Sequence, residues 1–305
     1  MSGINKHGKR LLKLLLREST DRSFGKYTAS TIKAVNYDSF PEKLSYRYTP
    51  PPAFCHEIQT KENKKELFFS TSGILAVMDE LSTYAISLED KNYRGGVSVD
   101  LFVETLKPVS GHEDVYLVTR TDKIGKVLAF CTMELTDLKG DILARGKHIK
   151  FLPLPFAFVM DSFAASPFFG VLLNVYETFR EKKFRTPIDN VFGVFEQPGP
   201  LSTDITTPEH VFNLLNLTVN DDPSDRKALL EDAPDNHHCD DSELYNMKVK
   251  PELCNFIGNM HGGAVATAIE ESSRLFKESK HKELQHLLKL KSVDVRYISP
   301  MKVRN

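Results

Sequence analysis

Two stretches of this 305-residue chain repeat the same pattern in the same order, almost two hundred residues apart. Residues 96–108 and 291–300 each carry Ser-Val-Asp, then alternating apolar residues, then a proline. That is a strand of period two. Upstream of each lies a helical run, 72–83 in one half and 263–273 in the other, with Asp79 and Glu270 at matching positions. A short strand precedes each helix, at 53–59 and at 244–250, and a leading amphipathic helix precedes each of those, at 10–17 and 170–180. Self-similarity of this kind is read before any other signal, because it predicts two copies of one folding unit.

The first unit continues after Pro108 with strand-like runs at 115–120, 126–135 and 142–151, punctuated by Gly125 and by Lys139-Gly140. One unit is therefore helix, strand, long buried helix, then about four antiparallel strands. Helices on one face of an antiparallel sheet make an α+β architecture. The expected units are 1–157 and 158–305, with an acidic surface insertion at 220–243. His237, His238 and Cys239 in that insertion fit no zinc-ligand spacing, so no metal is expected. The second unit has only five residues after Pro300, so its C-terminal strands are expected to be missing and its last strand to present an open edge.

Charge excludes some functions. Lys+Arg number 40 and Asp+Glu 41, a balance that points away from nucleic acid and from a membrane surface. The most apolar window, 151–173, is broken by Pro153, Pro155, Asp161 and Pro167, so no membrane span is expected. The four cysteines form no CxxC pair and read as reduced thiols of an intracellular protein. The basic, amphipathic segment 6–17 has two readings: a mitochondrial transit segment or a helix docked on the first unit. Cytoplasm and mitochondrion both remain open.

The chemistry concentrates at 255–273. Asn255 is followed by His261-Gly262-Gly263, a small-residue helix and Glu270. Glycines at a helix start leave the first backbone N–H groups bare. With the helix dipole, these make a site for developing negative charge, which is the physics of an oxyanion hole.

At these residues the chain resembles the hotdog-fold acyl-CoA thioesterases, in their phenylacetyl-CoA thioesterase-like branch. An asparagine stands six residues before His-Gly-Gly, an acid nine after the histidine, and the Ser-Val-Asp strand follows. The first half matches from its helix through residues 140–150. The resemblance implies a double hotdog: two curled antiparallel sheets, each wrapped around a long central helix, with active sites at the interface of the pair. It implies hydrolysis of an acyl-CoA thioester to free acid and CoA, with no cofactor beyond the CoA of the substrate. A homodimer of two such double hotdogs is compatible with it.

Spacing tests that implication. Gly262 and Glu270 are eight residues apart, about 12 Å along a helix. An activating carboxylate must lie within about 3 Å of the groups it serves. The carboxylate for Gly262 must therefore come from an antiparallel helix in the other half. This gives two composite sites. The first joins Asn255 and Gly262 to Asp79 and Ser98. By the resemblance, Gly262 N–H and Asn255 polarise the thioester carbonyl, Asp79 is general base or nucleophile, and Ser98 orients the water or the carboxylate. The second joins Glu270 and Ser292 to the first half, where Lys64 replaces the asparagine and Ser70-Thr71-Ser72 replaces His-Gly-Gly. That site is expected to be degenerate. His261, Gly263, Lys147 and His148 are further candidates for substrate contact.

Each residue also has a structural reading. Gly262 and Gly263 could serve helix packing, Asn255 a turn, Asp79 a solvent face, and His261 a cap. Lys147 and His148 could belong to a solvated strand. Two other functional classes stay open: a non-catalytic acyl-CoA-binding or scaffold protein, and another hotdog chemistry such as enoyl-CoA hydration.

Overall fold

The computed structural model describes residues 8, 12, 15–16, 24–59, 63–91, 94, 96–152, 206–220, 244–255, 259–280 and 290–296. The expected leading helix at 170–180 and the insertion at 221–243 lie outside the described residues, as does most of 10–17.

The strand runs after Pro108 alternate as period-two segments must. β5 (Val97–Thr105), β6 (Val115–Ile124), β7 (Leu128–Thr136) and β8 (Ile142–Phe151) form one antiparallel set. In β7 every second residue is buried, so one face packs on the core and the other faces out. Gly125 closes the β6–β7 turn by donating to the Leu128 carbonyl at 2.7 Å. Gly140, at φ +93°, turns β7 into β8 in a conformation open chiefly to glycine.

The sheet extends on both sides. β1 (Ile32–Asn36) and β2 (Leu44–Tyr48) join at the β6 edge, and β11 (Ser292–Arg296) joins at the β5 edge. The order is β1-β2-β6-β7-β8-β5-β11, antiparallel throughout. β1 and β2 lie outside the expected strand runs. β3 (Cys55–Gln59) and β4 (Lys65–Phe69) form a separate hairpin, where only β3 was expected. Of the strand expected at 244–250, only Tyr245–Asn246 (β10) is strand, paired with Thr218–Val219 (β9).

Helix α2 (Thr71–Glu89), which follows the short α1 (Gly25–Ala29), begins where Ser70 accepts the Gly73 N–H at 2.9 Å. This is the side-chain cap that an orphan amide at a helix start requires. Residues 74–78 are fully enclosed, because α2 lies across the inner face of the sheet. Gly146 of β8 allows that approach: a Cβ there would stand 2.6 Å from the Met78 sulfur. Helix α3 (His210–Leu215) is short, and α4 (Gly262–Lys280) equals α2 in length, at 19 residues. Among the described residues, no helix is long and apolar enough to cross a membrane.

α2 and α4 pack directly together. Gly263 is the contact point: a Cβ there would fall 2.4 Å from the Ala76 Cβ. His261 approaches Asp79 and Glu270 approaches Ser72, so advancing along one helix means retreating along the other. The two helices run antiparallel.

Candidate active site

The site grows from the α2–α4 crossing. Asp79 sits mid-helix on α2 and is 3 % exposed. Burial of an ionised carboxyl is tolerated only if charges and donors surround it. Ser98 on β5 donates to its Oδ1 at 2.8 Å, and the His261 Nδ1 lies 3.5 Å from its Oδ2. Burial pushes the Asp79 pKa up. The attraction of His261, His148 and Lys150 in their protonated forms, with the Ser98 hydrogen bond, outweighs that and holds it below its usual 3.8. Asp79 is ionised at neutral pH.

Behind Ser98 stands His148, fully buried on β8. Its Nε2 is 3.0 Å from Ser98 Oγ and its Nδ1 is 2.7 Å from Ser82 Oγ. Burial pushes its pKa down to about 3, so the ring is neutral. One proton count then fits. Ser98 gives its only proton to Asp79, so His148 Nε2–H donates to Ser98 and Ser82 donates to Nδ1. Lys150, also buried, donates to Thr83 Oγ1 at 2.5 Å, and burial lowers its pKa despite Asp79 and Glu80 nearby.

The facing wall is the start of α4. The His261 carbonyl accepts the Val265 N–H at 3.1 Å, and its Nδ1 accepts the Gly263 N–H at 3.0 Å. His261 is thus the N-cap of the helix. Its Nε2 lies 2.9 Å from Glu80 Oε2, and its ring stacks on Phe24 with centroids 4.8 Å apart.

Several expected residues have other partners. Asn255 closes a turn, its side-chain oxygen accepting the Asn259 N–H at 3.1 Å. Gly263 serves helix packing, and its amide points to His261 rather than outward. His148, a candidate for substrate contact or for a solvated strand, is instead buried against Ser98 and Ser82, because even positions of β8 face the core at that point. Lys147, one residue earlier, is exposed. Gly262 is the first residue of α4, where an amide has no intrahelical partner.

At the other end of the crossing, Glu270 Oε2 accepts the Ser72 N–H of α2 at 2.7 Å. Its Oε1 lies 3.7 Å from His56 Nε2, while His56 Nδ1 is 3.4 Å from Glu209. Burial disfavours a charged His56, but the hydrogen bonds and charges of Glu209 and Glu270 raise its pKa to about 9. Ser292, expected beside Glu270, is exposed on β11 in register with Glu104. Sequence reasoning missed Glu80, Ser82 and His56. None sits in a motif, although Glu80 directly follows Asp79.

The layout near Asp79 brings together a buried ionised carboxylate, a serine hydrogen-bonded to it, and a helix N-terminus opposite. No family model matches the chain. Among curated proteins, acyl-coenzyme A thioesterase 13 of Homo sapiens is 27% identical over 137 residues, covering 44% of this chain and 97% of that protein. The Mus musculus protein of the same name is 28% identical over 123 residues, covering 39% and 87%. Among solved structures, zebra fish thioesterase superfamily member 2 aligns with a TM-score of 0.39 at 22% identity, covering 50% of this chain and all of that one. A hypothetical thioesterase with coenzyme A from Streptococcus pneumoniae TIGR4 aligns with a TM-score of 0.34 at 9% identity, covering 43% and 94%. Over somewhat less than half of its length the chain is similar to acyl-CoA thioesterases.

Proposed function

We propose that the chain is a double hotdog that hydrolyses acyl-CoA thioesters at one competent composite site. The observation that carries this reading is the placement of ionised Asp79 on α2 at the N-terminus of α4, with Ser98 bonded to it. The pairing of β5 with β11 supports the doubled architecture. Leu101 and Val295 hold equivalent places after Ser-Val-Asp, and they pair with each other. A two-fold relation between the halves passes through that pair.

In this mechanism the thioester carbonyl meets the Gly262 amide, where the bare N–H and the helix dipole stabilise the developing oxyanion. Asp79, oriented by Ser98, takes a proton from the attacking water. Its low pKa keeps it ready as a base at neutral pH, and ionised Asp79 is equally suited to direct attack. His148 fixes Ser98 so that its hydroxyl hydrogen bond stays directed at Asp79. The tetrahedral intermediate expels CoA as thiolate and leaves the free acid.

The test is thiol release from several acyl-CoAs. Asp79→Ala should lose the rate and Asp79→Asn should not restore it; an unchanged rate in Asp79→Ala overturns the reading. A second reading, acyl-CoA binding without turnover, is favoured by the turn that holds Asn255 against Asn259. Tight binding of acyl-CoA with no thiol release by the wild-type chain would establish it.

A further inference from the structure

Glu80 is a charged residue that no expected mechanism uses, yet it is mostly enclosed, with 12 % of its side chain exposed. Its Oε1 accepts the hydroxyl of Tyr84, itself buried one turn further along α2. Its Oε2 lies 2.9 Å from His261 Nε2, a contact that crosses from one half of the chain to the other. Burying a carboxylate without partners is costly, so two hydrogen bonds aimed at one histidine and one tyrosine mark a specific arrangement.

We propose that Glu80 is a positioning residue that fixes the His261 imidazole with its proton on Nε2, leaving the Nδ1 lone pair for the Gly263 amide. The inference rests on the thioesterase reading for its kinetic part only. The argument is a proton count at one ring. A neutral imidazole carries one N–H. Glu80 accepts, so Nε2 must donate, and Nδ1 is then the acceptor that the Gly263 N–H finds at 3.0 Å. The same Nδ1 stands 3.5 Å from Asp79 Oδ2. In this state the ring caps α4 and leaves Asp79 to Ser98.

A second proton on the ring reverses both effects. It would set the Nδ1–H against the Gly263 N–H and draw Asp79 Oδ2 into an ion pair. The cap would be lost and the carboxylate would be engaged. The groups facing the ring are Asp79 and Glu80 from α2, His148 and Lys150 from β8, and the Phe24 ring. Burial lowers the ring's pKa, but Asp79 and Glu80 together raise it above 6.5, with Lys150 opposing. Asp79 and His148 titrate far below neutrality, so they cannot produce an activity loss near it. His261 can: activity should fall as pH drops through its midpoint. The Glu80 charge sets how high that midpoint lies.

The test combines two readouts on the full chain. The first is a 15N titration of the imidazoles by NMR, with His261 assigned by its absence in His261→Gln. The wild-type neutral ring should be the Nε2–H form. In Glu80→Gln the amide oxygen still accepts Nε2–H but the charge is gone, so the midpoint should fall by about one unit or more. The second is the pH profile of thiol release. Its acid limb should shift by the same amount in Glu80→Gln. Glu80→Ala should lose about tenfold in kcat at the plateau, and Glu80→Gln should recover part of it. A neutral ring carrying its proton on Nδ1, or an unchanged midpoint in Glu80→Gln, overturns the proposal. The imidazole titration needs no turnover. A wild-type chain that releases no thiol therefore overturns the hydrolase reading, while the titration still decides the role of Glu80.

Discussion

The two ends of the α2–α4 crossing carry the same parts and use them oppositely. At one end Asp79 faces the start of α4; at the other Glu270 faces the start of α2. At the Asp79 end a histidine stands between carboxylate and helix. It takes the Gly263 amide for itself, so the carboxylate is left to a serine. At the Glu270 end no histidine caps the helix. Ser70 does, through Gly73, and Glu270 docks directly onto the Ser72 amide. A carboxylate oxygen that accepts a helix amide is anchored there by that hydrogen bond. The comparison teaches that, on the proposed reading, the capping residue rather than the acid itself separates the chemical end from the structural one.

The sharpest way to break this comparison is to remove each acid. Asp79→Ala should cost about 10²–10⁴ in the rate of thiol release, the range of a lost acid–base group. Glu270→Ala should leave that rate within a few-fold. A large loss in both would put chemistry at both ends.

Next in size is Gly263→Ala. The new methyl meets Ala76 at 2.4 Å, so the helices must part. Overpacking of this kind costs about 1–3 kcal/mol, and the melting temperature should fall. Because Asp79 and the start of α4 separate together, kcat should drop as well. A variant that melts normally would deny the close contact.

Glu270→Ala then tests the structural end by stability. It leaves the Ser72 N–H without its carboxylate and His56 with one counter-charge fewer, at a cost of about 1–3 kcal/mol. Thermal melting measures it, and an unshifted midpoint would contradict the clamp.

The same clamp predicts a pH dependence. The folded pKa of His56, about 9, lies above its ordinary 6.5, so the stabilisation is complete below 6.5 and is lost as pH rises through 9. Melting temperature should decline across that window, and the decline should shrink in His56→Gln. The smallest effect belongs to Ser82→Ala. It removes one hydrogen bond behind His148, worth about 0.5–1.5 kcal/mol, and should slow turnover by no more than about tenfold.

Much of this contrast could be read in the residues beforehand. α2 and β5 through β8 carry strong apolar periodicity, and the spacing argument put the carboxylate for one half on a helix of the other. Asp79 and Ser98 do meet. What escaped is short or weakly patterned. β1 alternates weakly, and β2 alternates over five residues only; both are tied down where Asp114 of the β5–β6 connection accepts from Lys33, Arg47 and Thr49. Glu80 and His56 gain their meaning from partners far off in sequence, at His261 and Glu270. A chain of letters shows that such groups exist but not which of them meet. His148 was misplaced for a simpler reason: an alternating charged strand does not announce which face is inward.

The pairing of β5 with β11 around Leu101 and Val295 has a consequence for inheritance. When two identical subunits meet across such an axis, every substitution is made twice, and a change that ruins one centre ruins its mirror image. Here both partners are encoded once, in a single reading frame. A mutation at position 270 leaves position 79 untouched. On the proposed reading, one end is free to serve anchorage while the other keeps the chemistry, a divergence closed to any symmetric pair.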